Sequence, residues 1–456
     1  MAKQMMSEAS YRRNLGDGLV LRWSTAADAE ELGQLYSYVF RKKPEDPLNP
    51  YPVAWTQDLI GGRHPLIGPG DFALVEDTRQ RAIVSATCLL AQTWEYEGIA
   101  FPIGRPEIVA TAPDYRNRGL VRAIFELIHA RSAAQGHMAQ GITGIPFYYR
   151  QFGYEFALDL GGNRAVFFAA IPKLKDGATE PFTLRAATAD DLPQVMQLYD
   201  RERARGPVSA RMDADYWRWV LTEQSEESGE GWATKVIESA DGGRPLGPVG
   251  YVLHRRRRWG SKLAIVAVAV EPDVSLVAAM PSLLRALQAT AEGLPAFKPD
   301  APPADRLLFG LEAAHPAYDA LGDLGATYDP PYAWYVRVPD LPGFIRHIAP
   351  ALERRLADSP AAGHTGELKL NFYRGGLRLA FERGRLTTAE DWRAQVWGPK
   401  PEGGFPPLVF LQLLFGRRSF ADLRYAYPDV WAEDNASAAL IEALFPARPS
   451  WVLPLE

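Results

Sequence analysis

Cysteine is almost missing from this chain: its 456 residues include one, Cys88. A single thiol excludes an intrachain disulfide. Its place in an apolar strand pattern, with no histidine near it in sequence, predicts a buried spectator rather than a nucleophile. The seven histidines (His64, His129, His137, His254, His315, His347, His364) are scattered without metal-ligand spacing, so no metal is expected. No Ser-His-Asp set stands out. No apolar run approaches membrane-spanning length, and Met1–Gly16 lacks the apolar core of a signal peptide. A cytoplasmic protein with no membrane partner is therefore expected. Positive charge is also short: 50 Lys and Arg stand against 55 Asp and Glu, a net −5, which argues against a general nucleic-acid binder. The one dense basic block, Arg255–Arg258, lies between strand-like stretches before Trp259-Gly260 and predicts a solvated hairpin.

Two phosphate signatures are lacking as well. No Gly-Lys-Ser/Thr marks a Walker loop, and no three-glycine dinucleotide fingerprint occurs. A different cradle is present. Ile108, Val109, Ala110 and Thr111 form an apolar strand that runs through Pro113 into Arg116-Asn117-Arg118-Gly119. From Leu120 the apolar positions 120, 121, 124, 125 and 128 make one helical stripe, opposite Arg122, Glu126 and Arg131. A strand, a tight glycine loop and a helix start expose unpaired backbone N–H groups aided by the helix dipole. Gly119 lets a phosphate approach the backbone, and Arg116 and Arg118 add charge for a diphosphate.

Arg116-x-x-Gly119 after a Val-Ala-Thr strand resembles the acetyl-CoA loop of the GNAT N-acetyltransferases, with Val121 in place of the usual third small residue. Downstream, Tyr148-Tyr149-Arg150-Gln151-Phe152-Gly153-Tyr154 looks like the phenylalanine-glycine-tyrosine ending of many GNAT domains. The resemblance implies acetyl-CoA as co-substrate. Its diphosphate would be held by Arg116, Asn117, Arg118, Gly119, Leu120, Val121 and Arg122. Its pantetheine arm would lie along the backbone of Val109, Ala110 and Thr111, where a strand splays from its neighbour.

The chain also repeats itself. Leu21 through Tyr36 aligns without gaps on Leu184 through Tyr199, with eight of sixteen positions identical. Each copy reads as a strand entering a Thr/Ala/Asp cap and then a helix. Two domains of one fold are expected, joined by a linker at Lys173–Glu180. In the second copy Pro272-Asp273 can be set on Pro113-Asp114. Ser275, Val277 and Ala278 then replace Arg116, Arg118 and Gly119, so the second copy is expected not to bind CoA. Beyond Pro339 the pattern changes: Leu368, Leu370 and Phe372 alternate, Arg374-Gly375-Gly376 turns, and Leu377, Leu379 and Phe381 alternate back. This predicts a hairpin, covered by an apolar helix at Pro406–Phe415.

The resulting fold class is α+β: two tandem GNAT-type mixed-sheet domains (1–172 and a degenerate 181–338) and a small α+β domain (339–456). That layout resembles the Eis (enhanced intracellular survival) family, whose last domain is sterol-carrier-protein-like. The resemblance implies a homo-oligomer, commonly a hexamer, and an amine acceptor that is a small cationic molecule or a lysine.

Acetyl transfer to an amine requires a neutral nucleophile and a protonated leaving thiolate. The resemblance implies Tyr149 as the acid, three residues before Phe152, with Tyr148 as its competitor. Two bases compete: the terminal carboxylate of Glu456, as in Eis-like enzymes, and Glu107 at the start of the cofactor strand. Tyr36, Tyr38 and Phe40, with Asp46, could wall a cationic acceptor, although a core helix face explains the aromatics at least as well. A non-catalytic CoA-responsive or lipid-binding scaffold is the competing reading.

Overall fold

In the computed structural model the described residues are 2–455 apart from 42, 242, 326 and 396. They form three sheets. The first runs Arg12–Gly16, Leu19–Trp23, Phe72–Asp77, Ala82–Tyr96, Ile99–Thr111, Ala139–Ile142, Tyr332–Arg337, Glu155–Leu160. All neighbours are antiparallel except Ile99–Thr111 with Ala139–Ile142, whose crossover is the helix Leu120–Ala134. The second sheet repeats this plan: Lys262–Val270 lies parallel to Arg306–Phe309 across the helix Leu276–Gly293. These two mixed sheets are the repeat detected in sequence, and the fold class is α+β as read there.

The identical residues of the repeat turn out to be structural. Arg22 spans Asp28 (2.7 and 2.9 Å) and Glu76 (2.8 Å), and Asp28 accepts from the Thr25 amide at 2.7 Å. In the second copy Arg185 spans Asp191 (2.7 and 2.7 Å) and Glu238 (2.8 Å), and Asp191 accepts from the Thr188 amide at 2.7 Å. A bidentate guanidinium therefore ties a strand to the cap of the following helix in both copies. The Arg185 hydrogen bonds hold the Asp191 carboxyl well below the usual carboxylate range, against the opposing effect of burial. Asp191→Ala is expected to cost about 1–2 kcal/mol in a urea titration near pH 7. With a depressed folded-state value, the wild-type advantage is complete above the ordinary carboxylate range and fades as pH falls below about 4.

The copies are not contiguous in sequence. Asn163–Phe167, which precedes the linker, pairs with Arg306–Phe309 in the second sheet, and Tyr332–Arg337 returns to the first sheet between Ala139–Ile142 and Glu155–Leu160. The segment 1–172 therefore lends one strand to the second sheet, and 181–338 lends two to the first, Tyr332–Arg337 and the short Val208–Ala210, which pairs with Ala82–Tyr96. The exchanged strands are short and apolar on one face, so nothing local distinguishes a home sheet from a foreign one. Trp334 of the returning strand is fully buried, edge-on to Trp94 at 5.4 Å.

The third sheet contains the expected hairpin, with Leu368 opposite Leu379 and Leu370 opposite Leu377, all four fully buried. The helix expected over 406–415 forms only at Phe410–Leu414. Pro406-Pro407 and a left-handed Leu408 (φ +72°) delay its start. This unit packs on the first: Tyr96 donates to the Leu414 carbonyl at 2.6 Å, and Glu97 gathers Arg355 (3.0 Å) and Arg448 (2.6 Å). Arg255–Arg258 does turn the chain between two strands but is not a solvated block. Arg256 donates to the carbonyls of Trp232, Gln224 and Val220 at 2.7–2.9 Å, and Arg258 to those of Leu294 and Gly260. A guanidinium has donors in a fork that can satisfy several loop carbonyls at once, which a sequence count of charges does not reveal.

Candidate active site

The loop after the cofactor strand has the geometry of an anion cradle. A short 3-10 turn, Pro113–Tyr115, is followed by Arg116–Gly119, with Asn117 (φ +60°) and Gly119 (φ +76°) in left-handed conformations. Gly119 is the N-cap of the helix Leu120–Ala134 and, lacking a side chain, cannot cap it. The amides of Leu120, Val121 and Arg122 thus have no intrahelical acceptor. A Cβ on Gly119 would meet no atom within 4 Å, so the space above it is open. Arg116 and Arg118 are exposed; Arg118 lies over the Tyr115 ring at 4.9 Å, and Arg122 donates to Gln151 at 3.0 Å. In the second copy the helix begins directly after Ser275, whose side chain accepts from the Ala278 amide at 3.2 Å. With helix starts matched, Ser275 faces Gly119 rather than Arg116, because the second loop is shorter. A serine there consumes a donor that the first copy leaves free.

The strand Ile99–Thr111 is bent past its middle, so Glu107 lies within it and not at its start as expected. Cys88 pairs with Glu107 but Ala86 pairs with Ala110, so Ile108 and Val109 share one position opposite Thr87. Ile108 sits at φ +52°, a costly conformation for a β-branched residue. The parallel pairing to Ala139–Ile142 covers only Ile103↔Ala139 and Gly104↔Gln140. Among the described residues, the strand from Arg105 to Thr111 therefore has no ladder partner on that side. Its neighbour on the other side holds it through Ser85, which bonds the Ala110 carbonyl (3.1 Å) and the Thr111 hydroxyl (2.8 Å). Ala110 is buried and Val109 half-buried. Bulges of this kind re-aim backbone groups beside active sites.

At the root of this opening lie Arg105 and Glu107. Arg105 is fully buried, pairs with Glu107, and stacks over Trp334 at 4.7 Å. Glu107 also accepts from its neighbour's amide, Ile108 N–H, at 2.9 Å and from Thr143 at 3.4 Å. Its oxygens are thus already engaged. The chain's last segment enters the same spot. Ser450 accepts from the Asp159 amide (2.9 Å), Trp334 Nε1 donates to the Val452 carbonyl (3.0 Å), and both Gln92 Nε2 (2.9 Å) and Arg105 donate to the Leu455 carbonyl. Val452, Leu453 and Leu455 are buried. Glu456, the other candidate base, lies outside the described residues.

Tyr149 begins a 3-10 turn, Tyr149–Phe152, and is buried among Phe125 (5.7 Å), Tyr148 (5.2 Å) and Tyr335 (5.4 Å). Burial first, and then the negative charge of Glu107, push its phenol well above the ordinary value. It is therefore protonated throughout the usual pH range. Tyr148 is only half-buried; burial raises its phenol while Arg122 opposes the shift. Tyr154 of the motif is a fully buried anchor, 2.9 Å from His129 Nε2.

On the acceptor side Tyr36 is fully buried in the core with Leu35, Cys88 and Ile108, so it is not an accessible wall. Among the described residues its hydroxyl has no hydrogen-bond partner, and burial together with the fields of Cys88 and Glu107 raises its phenol. Phe40, stacked on Tyr36 at 6.0 Å, and Tyr38 are exposed; Asp46 is half-buried on the loop beyond. Cys88 is buried with a raised thiol, as burial dictates, and touches the Glu107 carbonyl at 3.7 Å. Arg105, Gln92, Thr143 and Trp334 were missed in the sequence. Only Arg105 carried a signal: a charge two residues before Glu107 in a strand, hence on the same face.

Residues 21–157 match the model of the acetyltransferase (GNAT) domain. This stretch is an acetyltransferase (GNAT) domain. No curated protein matches it in sequence. Solved structures match along nearly the whole chain. A GCN5-related N-acetyltransferase from Anabaena variabilis is 16% identical, with 95% of this chain and 99% of that chain covered and a TM-score of 0.62. A probable N-acyltransferase from Enterococcus faecalis is 15% identical (95% and 98%, TM-score 0.65), and Eis1 from Mycobacterium abscessus is 14% identical (94% and 98%, TM-score 0.56). At such identities the likeness is one of fold. The shared fold extends through all three sheets. Among the described residues no helix is long and apolar enough to cross a membrane, and no three His, Cys, Asp or Glu side chains gather as a metal site.

Proposed function

We propose that the N-terminal unit moves the acetyl group of acetyl-CoA directly to a primary amine on a small cationic molecule or a lysine. The observation that carries this reading is proximity: Val109 of the unpaired strand edge and Val121 at the helix start both pack against the cluster that holds Tyr149, and Glu107 lies near enough to raise that phenol. The diphosphate would meet the free amides at the start of the helix and the exposed Arg116 and Arg118. The pantetheine arm would run along the open edge of Val109–Thr111. A strand amide there would stabilise the oxyanion as the amine attacks the thioester carbonyl. The C–N bond forms, the amine proton passes to a base, and the C–S bond breaks as the thiolate receives a hydrogen bond or proton from Tyr149.

For the base, the engagement of Glu107 by Arg105, Ile108 and Thr143 favours the terminal carboxylate, and so does the docked tail that leads to it. The second copy, with its self-capped helix, serves as scaffold in this reading. The third unit, sterol-carrier-like by resemblance, would position the tail and build a cytoplasmic homo-oligomer.

The test is thiol release from acetyl-CoA across a panel of amines, with calorimetry of CoA binding alongside. Turnover with at least one amine is expected. Binding of CoA without turnover on any amine would turn the protein into a CoA-responsive scaffold, and no binding would end the reading. In the same assay Arg116→Ala is expected to raise KM for acetyl-CoA by about tenfold, with kcat nearly unchanged, because one charge-assisted contact to a phosphate contributes on the order of 1.5–3 kcal/mol, discounted for exposure.

A further inference from the structure

A second cavity, outside the acetyl-transfer centre, lies in the second copy. It occupies about 70 Å³ between the helix Leu192–Arg203 and the strand Lys262–Val270. The sequence repeat sets Tyr199, in its wall, on Tyr36, which is closed in the core of the first copy. At the matching place the second copy keeps an open cavity.

Its chemistry is that of a cation site with an apolar end. Glu202 Oε2 is sealed from solvent, lies 3.3 Å from His315 Nε2 and 3.8 Å from Arg205 Nε, and among the described residues makes no hydrogen bond of good geometry. His315 Nδ1 accepts from the Ala317 amide at 3.1 Å, so the ring proton sits on Nε2 and faces Glu202. Glu312, also in the wall, has no cation within 4.0 Å among the described residues, and burial raises its carboxyl. Of the nearby cations, Arg203 is held by Glu95 and Asp200 at 2.6 Å each and Arg205 pairs with Glu202, which leaves Glu312 as the carboxylate without a close cation. The phenol rings of Tyr199 and Tyr251 and the side chains of Val266 and Val268 supply the apolar surface. Room for roughly five water-sized groups fits a short alkylammonium and excludes a large polycation.

The remaining wall is the chain's tail. Trp451 and Leu453 line the cavity, and two residues further on the Leu455 carbonyl is held by Gln92 and Arg105 beside Glu107. We propose that this cavity binds a short primary ammonium ion, with Glu312 as its counter-charge, and that the bound ion stabilises the docked tail. Binding here does not depend on acetyl transfer; only its consequence for catalysis rests on the function proposed above.

The experiment uses the full chain without acetyl-CoA. Titration with n-butylammonium chloride, followed by calorimetry, is expected to show binding that neutral n-butanol lacks. Glu312→Gln should weaken it by tenfold or more, whereas Tyr36→Ala, at the matching position in the core of the first copy, should leave it unchanged. Butylammonium should also slow carboxypeptidase digestion of the tail in the wild type. Equal affinity for butanol and butylammonium, or no binding of either, overturns the proposal even if a variant fails to fold. Loss of binding in Tyr36→Ala together with full binding in Glu312→Gln would move the ion to the first copy and overturn it too.

Discussion

Deleting Leu453–Glu456 is expected to lower kcat for acetyl transfer by about 10²-fold or more, the scale of a lost general base. Because the deletion also removes buried side chains, a gentler variant accompanies it: one glycine appended after Glu456, which moves the terminal carboxylate while keeping Leu453 and Leu455 in place. That variant should lose most of the same activity with KM for acetyl-CoA unchanged. Glu107→Gln should lose only a fewfold, since the Arg105 fork and the Ile108 amide engage that side chain structurally. The reverse pattern, a tolerant tail and a crippled Glu107→Gln, would transfer the base to Glu107. Steady-state kinetics of thiol release separates the two.

Tyr149→Phe is the second large effect: kcat is expected to fall by about 10²-fold or more, with little change in stability. The ring keeps its contacts with Phe125 and Tyr335, and only the hydroxyl is lost. Burial raises this phenol above its ordinary value, whereas a thiol ionises near about 8.5. Full transfer of the proton would leave a phenolate in an apolar pocket beside Glu107. A strong hydrogen bond to the departing sulfur is the favoured form of assistance. The deficit of Tyr149→Phe should therefore shrink with an acyl thioester whose thiol is more acidic, and Tyr148→Phe should behave as wild type. Equal rates for both variants, or a deficit independent of the leaving group, would remove Tyr149 from the mechanism.

Much of this centre was legible locally. The loop Arg116–Gly119 was readable because a strand, a left-handed glycine and an amphipathic helix follow one another within a few turns, where short-range sterics dominate. The repeat was readable because its identical residues, Arg22 and Arg185 with Asp28 and Asp191, make the same bidentate contact six residues away. The hairpin around Gly375-Gly376 followed from alternation with period two. Less was legible wherever a side chain's partner is remote. The arginine block at 255–258 read as solvated because its acceptor carbonyls belong to other loops. The helix expected at 406 lost its first turn to two prolines and a left-handed Leu408. Tyr36 could be read as a wall or as core and is a core residue, since helical spacing alone does not say which neighbour covers a face.

Sequence alone determined that a glycine loop flanked by arginines opens the helix at Leu120, that the pattern of residues 21–36 occurs twice, and that the second copy lacks those arginines and that glycine. These are properties of contiguous residues, whose backbone preferences and spacing act over a turn or two. Only the tertiary structure decided that the copies exchange strands 163–167 and 332–337, and that the tail is threaded to Arg105, 350 positions from Leu455 in sequence. A short apolar strand or an apolar tail can pair with many edges and fill many grooves. The choice among them comes from the packing of the whole interior, which no local pattern encodes.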